Sequence, residues 1–223
     1  MDYMVTGVEF FQKGGAVMYV LLLCSMFVVA IGIERALHFN RMDSGRDFAR
    51  VFYEQVTAGQ YGEAAALLQN APGVLAKIII AAVQKENREQ AAHYMELQSG
   101  IALSRMRQRL YYLSVIVTMA PLLGLLGTIS GMISSFSVFN VASGQATAIT
   151  GGVGEALIAT AMGLCVAIAA LTVHAYFSQR LENIITDMEQ CFSLVEEHLV
   201  RLHEGAEAEH AAAGQLVMGG GTL

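Results

Sequence analysis

A chain of 223 residues has room for one ordinary domain or a small membrane bundle. Only 14% of its residues are charged, against roughly 25% in typical soluble domains, while 55% are apolar. The net charge of −6, with no basic stripe beyond what membrane topology explains, argues against a nucleic-acid surface.

Charge is also unevenly placed. The 70 residues between Arg109 and Arg180 contain one formally charged group, Glu155, a stretch that no soluble fold of this size needs. The three cysteines, Cys24, Cys165 and Cys191, are far apart and lack paired Cys/His spacing, so they read as small buried hydrophobes.

A bilayer core of about 30 Å needs ~20 apolar residues in a helix. Residues 1–13 form an outer segment, and the first span is expected over 14–37, its apolar run ending at Glu34-Arg35. A cleavable signal peptide fits poorly: the preceding residues include Asp2 and Glu9 with Lys13 as the one base, and the apolar run is too long. Residues 38–109 are expected as a cytoplasmic helical loop. In it, Ser44 to Thr57 places Phe48, Val51, Phe52 and Val56 on one face behind a Ser44 cap. Short helices are predicted over 62–69 and 74–84, separated by Asn70-Ala71-Pro72-Gly73. From about Arg88 an unbroken pattern runs into the second span, 110–139, as one long helix, kinked at Pro121 where a backbone hydrogen bond is lost.

Residues 140–150 are expected as a short outer loop and 151–177 as the third span. A helical extension follows over 178–203, with Leu181, Ile184, Ile185, Met188, Phe192 and Val195 on a stripe that serves packing or partner docking. The Ala/Gly/Glu-rich residues 204–223 are expected to be disordered. Only Lys13 precedes the first span and the 140–154 connection carries no Lys or Arg. The other twelve basic residues lie at the far end of the first span, in the 38–110 loop or after the third span. The positive-inside rule therefore puts the N-terminus outside and the C-terminus inside.

Glu155 asks for an explanation, because a carboxylate in hydrocarbon costs a few kcal/mol and such groups usually face a bundle interior or a wet cavity. Burial would penalise its charged form and leave a proton-accepting carboxyl. A helix-start residue at the outer interface, favoured by the macrodipole, is the plainer alternative. Around it the residues are small: Ala156, Ala159, Gly163, Ala167 and Ala170 in the third span, Gly124, Gly127, Gly131 and Ser135 in the second. Such stripes mean close helix packing or, on a pore, lining. They exceed what one three-helix subunit needs, which predicts a homo-oligomeric ring. Thr128 and Thr160 could hydrogen-bond the carboxyl, hold water near it, or bond their own helix backbone. Thr160 lies five residues beyond Glu155, about 140° around the helix, so the two share only a wide face.

The run APLLGLLGTISGMISSF at 120–136 followed by GEALIATAMGL at 154–164 resembles the MotA/TolQ/ExbB proton-channel family, most closely its ExbB and TolQ members, since the MotA type has four spans. The likeness is strong over 115–175, and length and topology extend it over most of the chain. The resemblance implies an all-α, multi-pass protein of a bacterial inner membrane. It also implies a ring of five subunits around two single-span helices of an ExbD/TolR-like partner, whose membrane aspartate takes up and releases protons. Carried over by position, the family's third-span glutamate falls on Glu155 and its threonines on Thr160 and Thr128, a proton pathway. A TonB-like protein and membrane lipid complete the expected partners, and the expected role is proton-motive-force-driven energising of outer-membrane transport. A TolQ-like role in envelope integrity and division is the alternative, a structural membrane scaffold a third. Many members carry a proline after the Gly-Leu of the third span; here the place reads Ala167-Ile-Ala-Ala170, which implies a straighter helix. No enzyme is expected and no cofactor: His38, His93, His174, His198, His203 and His210 show no paired ligand spacing, and no nucleophile–base pair is visible.

Overall fold

The computed structural model describes residues 15–42, 45–139 and 146–219, and those residues are arranged as six helices. They are α1 (Gly15–Met42), α2 (Arg46–Thr57), α3 (Tyr61–Asn70), α4 (Val74–Val83), α5 (Arg88–Phe139) and α6 (Ala146–Gly219). Three of them, α1, α5 and α6, are long and apolar enough to cross a membrane. The expected outer segment 1–13, the cap candidate Ser44 and residues 140–145 of the expected outer loop lie outside the described residues.

Two expected boundaries move. Helix α6 begins at Ala146, five residues before the expected start of the third span, because Ala146-Thr-Ala-Ile-Thr150 contains no breaker. It also runs through Gly219 rather than giving way to an irregular tail at 204. Ala206, Ala208 and Ala211 to Ala213, with Glu204, Glu207 and Glu209 among them, are strong helix formers. Pro121 lies inside α5, and the helix continues through it as one element.

The chain divides into two compact units. The first joins the described part of 1–35 to 108–178; the second joins 36–107 to 179–223. In the second unit, α2 is entered at Gly45, whose φ of 85° admits glycine readily and other residues at a cost. Its apolar face buries Phe48, Phe52 and Val56, with the two phenyl rings stacked at 6.0 Å. Helix α3 ends where Asn70 Nδ2 donates to the Ala66 carbonyl at 3.0 Å, and Pro72-Gly73 resets the chain direction. Helix α4 is apolar nearly all round and buries six of its ten residues, which makes it the centre of this unit. Asn87 then caps α5, its Oδ1 accepting the Gln90 amide at 2.8 Å.

The stripe on α6 is a packing face here: Leu181, Ile184, Met188 and Val195 are buried, and Ile185 and Phe192 half-buried. Cys191 is buried too, and burial, with Asp187 adding to it, pushes its thiol up to about 12. Cys24 is half-buried and Cys165 exposed, so the expectation of buried cysteines holds for one of three. A membrane helix can carry an apolar thiol on its outward face without penalty. At His198 (φ −115°, ψ 20°) α6 is locally non-helical. There the imidazole lies 5.8 Å from the Tyr61 ring, and Gly205 follows so close that an added Cβ would sit 2.9 Å from the Tyr61 backbone.

Candidate functional site

The first unit brings the two small-residue stripes onto each other. Reading along α6, Ala156 meets Gly131, Ala159 meets Gly127, Thr160 meets Gly124, and Gly163 meets Ala120 and Gly124. The approach is close enough to leave no room for side chains. A Cβ on Gly163 would lie 2.6 Å from the Ala120 carbonyl oxygen, and one on Gly127 would lie 2.6 Å from the Ala159 methyl. Val17 of α1 reaches the same place, 3.5 Å from that Gly127 position, and a Cβ on Gly32 would lie 3.5 Å from Val173. Steps of three and four residues keep these positions on one face, which is why glycine and alanine recur at that spacing.

The stripes are therefore occupied by packing within one chain. What one chain leaves uncovered is its large apolar side chains: Leu122, Leu125, Ile129 and Ile133 on α5 and Leu157, Ile168 and Leu171 on α6 are exposed.

The hydroxyls divide into two kinds. Thr160 Oγ1 donates to the Gly124 carbonyl across the helix pair at 3.0 Å, in a partly buried setting. Thr128 Oγ1 donates within its own helix, to the Leu125 carbonyl at 2.7 Å, and Ser135 likewise to Gly131 at 2.8 Å. Thr128 and Thr160 thus flank one glycine ladder but do not bond each other. The backbone of Glu155 is helical, one residue before the Ala156 that packs on Gly131; its side chain lies outside those described.

One group carries more than its place at the end of the first span predicts: Arg35 is 2% exposed. Its Nε and Nη2 donate to the two Glu34 carboxylate oxygens at 2.9 and 2.8 Å, and Arg109 Nη1 closes on Glu34 Oε1 at 2.6 Å. A guanidinium removed from water needs a paired acceptor, and this two-on-one arrangement supplies it while tying α1 to α5. An adjacent acid–base pair at a span end was the available signal; that Arg109 would join it was not in the pattern.

Three membrane-length helices, two of them joined by a glycine–alanine seam, are the architecture of a helical membrane protein, and the comparisons name its family. Residues 66–190, more than half of the chain, match the MotA/TolQ/ExbB proton channel family. The protein named ExbB-like 1 of Synechocystis sp. is 36% identical over 173 residues, 73% of this chain and 67% of that protein. ExbB-like 3 of the same organism is 34% identical over 166 residues, 72% of this chain and 79% of its own. The Tol-Pal system protein TolQ of Pseudomonas aeruginosa is 36% identical over 90 residues, 38% and 39% of the two chains. The chain belongs to the MotA/TolQ/ExbB proton channel family.

Proposed function

We propose that the protein is the ring-forming subunit of an inner-membrane motor driven by the proton-motive force, working in the ExbB manner to energise TonB-dependent outer-membrane transport. Family membership carries this reading, together with the match over most of the chain to proteins named ExbB-like. The N-terminus is outside and the C-terminus inside, because the reverse would place twelve of thirteen basic residues on the wrong side. Copies of the chain, five in the ring, cover the exposed leucine and isoleucine faces together with lipid. An ExbD/TolR-like single-span partner occupies the centre, and a TonB-like protein takes up the work.

In this mechanism Glu155 favours proton entry toward the partner's acidic group, and Thr128 and Thr160 add polar groups nearby. Glu155→Gln keeps size and most hydrogen bonding but cannot ionise. That variant assembles normally and loses energy-dependent uptake in complemented cells. Full uptake by an assembled Glu155→Gln ring would make Glu155 a helix-start residue and end the proton-handling role. The TolQ-like alternative rests on the shorter match to TolQ. Complementation of an envelope-integrity defect, without rescue of uptake, would select it.

A further inference from the structure

We propose that Arg109, with the hydroxyl of Tyr112 beside it, holds the phosphate of an anionic phospholipid at the membrane edge of the first unit. This is a binding site separate from the proton pathway. Apart from Glu155, residues 15–35 and 108–178 contain three groups charged at pH 7: Glu34, Arg35 and Arg109, two positive and one negative. All three meet in one cluster, where both guanidiniums close on the single Glu34 carboxylate. Arg35 is enclosed in that cluster, whereas the Arg109 side chain is 53% exposed. One positive charge is therefore left over, and it faces outward on Arg109.

The aromatic side chains fix the depth of this charge. Tyr111 and Tyr112 of α5 and Tyr176 of α6 are exposed, and they lie at the ends of the spans expected over 110–139 and 151–177. Tyrosine favours the boundary between membrane and water, where its ring stays among acyl chains and its hydroxyl reaches the headgroups. Arg109 comes just before these rings on α5, which puts its guanidinium at phosphate depth. Tyr112 follows Arg109 by three residues, so the two are neighbours on the helix surface. Its ring stands edge-on to Tyr111 with the centroids 6.2 Å apart.

The chemistry at that depth selects a phosphate of net negative charge. Nη1 of Arg109 is committed to Glu34 Oε1, and the remaining guanidinium N–H groups form a fork that matches two phosphate oxygens. The Tyr112 hydroxyl can donate to a third. A zwitterionic headgroup brings its own cation and leaves the excess charge in place. A headgroup of net charge −1, such as that of phosphatidylglycerol, balances the cluster.

Native mass spectrometry of the intact chain reads the preference directly, after exchange from detergent into equimolar phosphatidylglycerol and phosphatidylcholine with the same acyl chains. In the last lipid retained as collision energy rises, phosphatidylglycerol should exceed phosphatidylcholine about fivefold, the size that one basic residue supplies at a charged membrane surface. Arg109→Lys keeps a cation for Glu34 but loses the fork, and Tyr112→Phe loses only the hydroxyl. Each should cut the preference roughly twofold or more while circular dichroism shows the protein still folded. Arg107→Gln removes an exposed arginine of the same helix outside the cluster and should leave the preference unchanged. Equal retention of the two lipids by the wild-type protein would overturn the proposal. So would a preference untouched by both Arg109→Lys and Tyr112→Phe, or one lost equally in Arg107→Gln, which would make the attraction a diffuse surface charge. Displacement of the lipid by excess inorganic phosphate would make this a free-anion site and overturn the lipid assignment.

Discussion

In the first unit α5 and α6 meet through Gly124, Gly127, Gly131 and Gly163, with Ala156 and Ala159 opposite, while Leu122, Leu125, Ile129, Ile133, Leu157, Ile168 and Leu171 face outward. The second unit is closed by the reverse set: Phe39, Phe52, Ile79, Met95, Met106 and Leu202 are fully buried, and the charged residues stand outside. The difference is one of solvent. In hydrocarbon a large apolar side chain gains nothing by turning inward, so helices associate by close backbone approach, and the smallest residues mark the contact. In water the gain comes from removing large apolar surface, about 25 cal/mol per Å2, so the largest residues mark it. One chain thus carries two emphases in its interior, close backbone approach at the α5–α6 seam and burial of large side chains in the second unit.

The comparison breaks first at its tightest point. Leucine at Gly163 must displace the Ala120 carbonyl, which is backbone and cannot swing away. We expect Gly163→Leu to yield no folded protein by size-exclusion chromatography in mild detergent, with Gly163→Ala an intermediate costing about 1–3 kcal/mol. In the second unit the damaging change runs from large to small. Phe52→Ala opens a cavity and should cost about 3–5 kcal/mol in urea unfolding followed by circular dichroism. Thr160→Val keeps shape and removes the bond to Gly124. It should cost about 1 kcal/mol in the same measurement, where Thr128→Val, whose bond is internal to α5, costs less. The smallest effect is a gain. Gly100 lies inside α5 with open space where a Cβ would sit, so Gly100→Ala should stabilise by about 0.5–1 kcal/mol, measured as a rise in the unfolding midpoint. Destabilisation there would mean that another molecule covers this face.

Helix positions were legible because their causes are local. α3 occupies 61–70 where the pattern predicts 62–69, and α4 occupies 74–83 against 74–84, since Pro72-Gly73 and the apolar period act within a few residues. The apolar runs behind the three long helices could be read for the same reason, as could the small-residue stripes and the family they resemble. α6 reaches Ala146 and Gly219, beyond the expected 151 and 203, because composition that suggests an irregular segment still holds alanines and glutamates that propagate a helix well.

The pairings lay beyond the pattern altogether. A stripe of glycines states that something comes close, not what; the tertiary structure decides that within the chain Gly163 meets Ala120. It decides that Thr160 spends its hydroxyl on Gly124, that Arg109 joins Glu34 and Arg35, and that His203 reaches Val83, 120 residues away. Sequence by itself determined where the helices run and which faces are smooth, because those depend on a residue and its near neighbours. Which smooth face meets which, and which buried charge finds its partner, depends on contacts between distant residues that only the folded chain brings within reach.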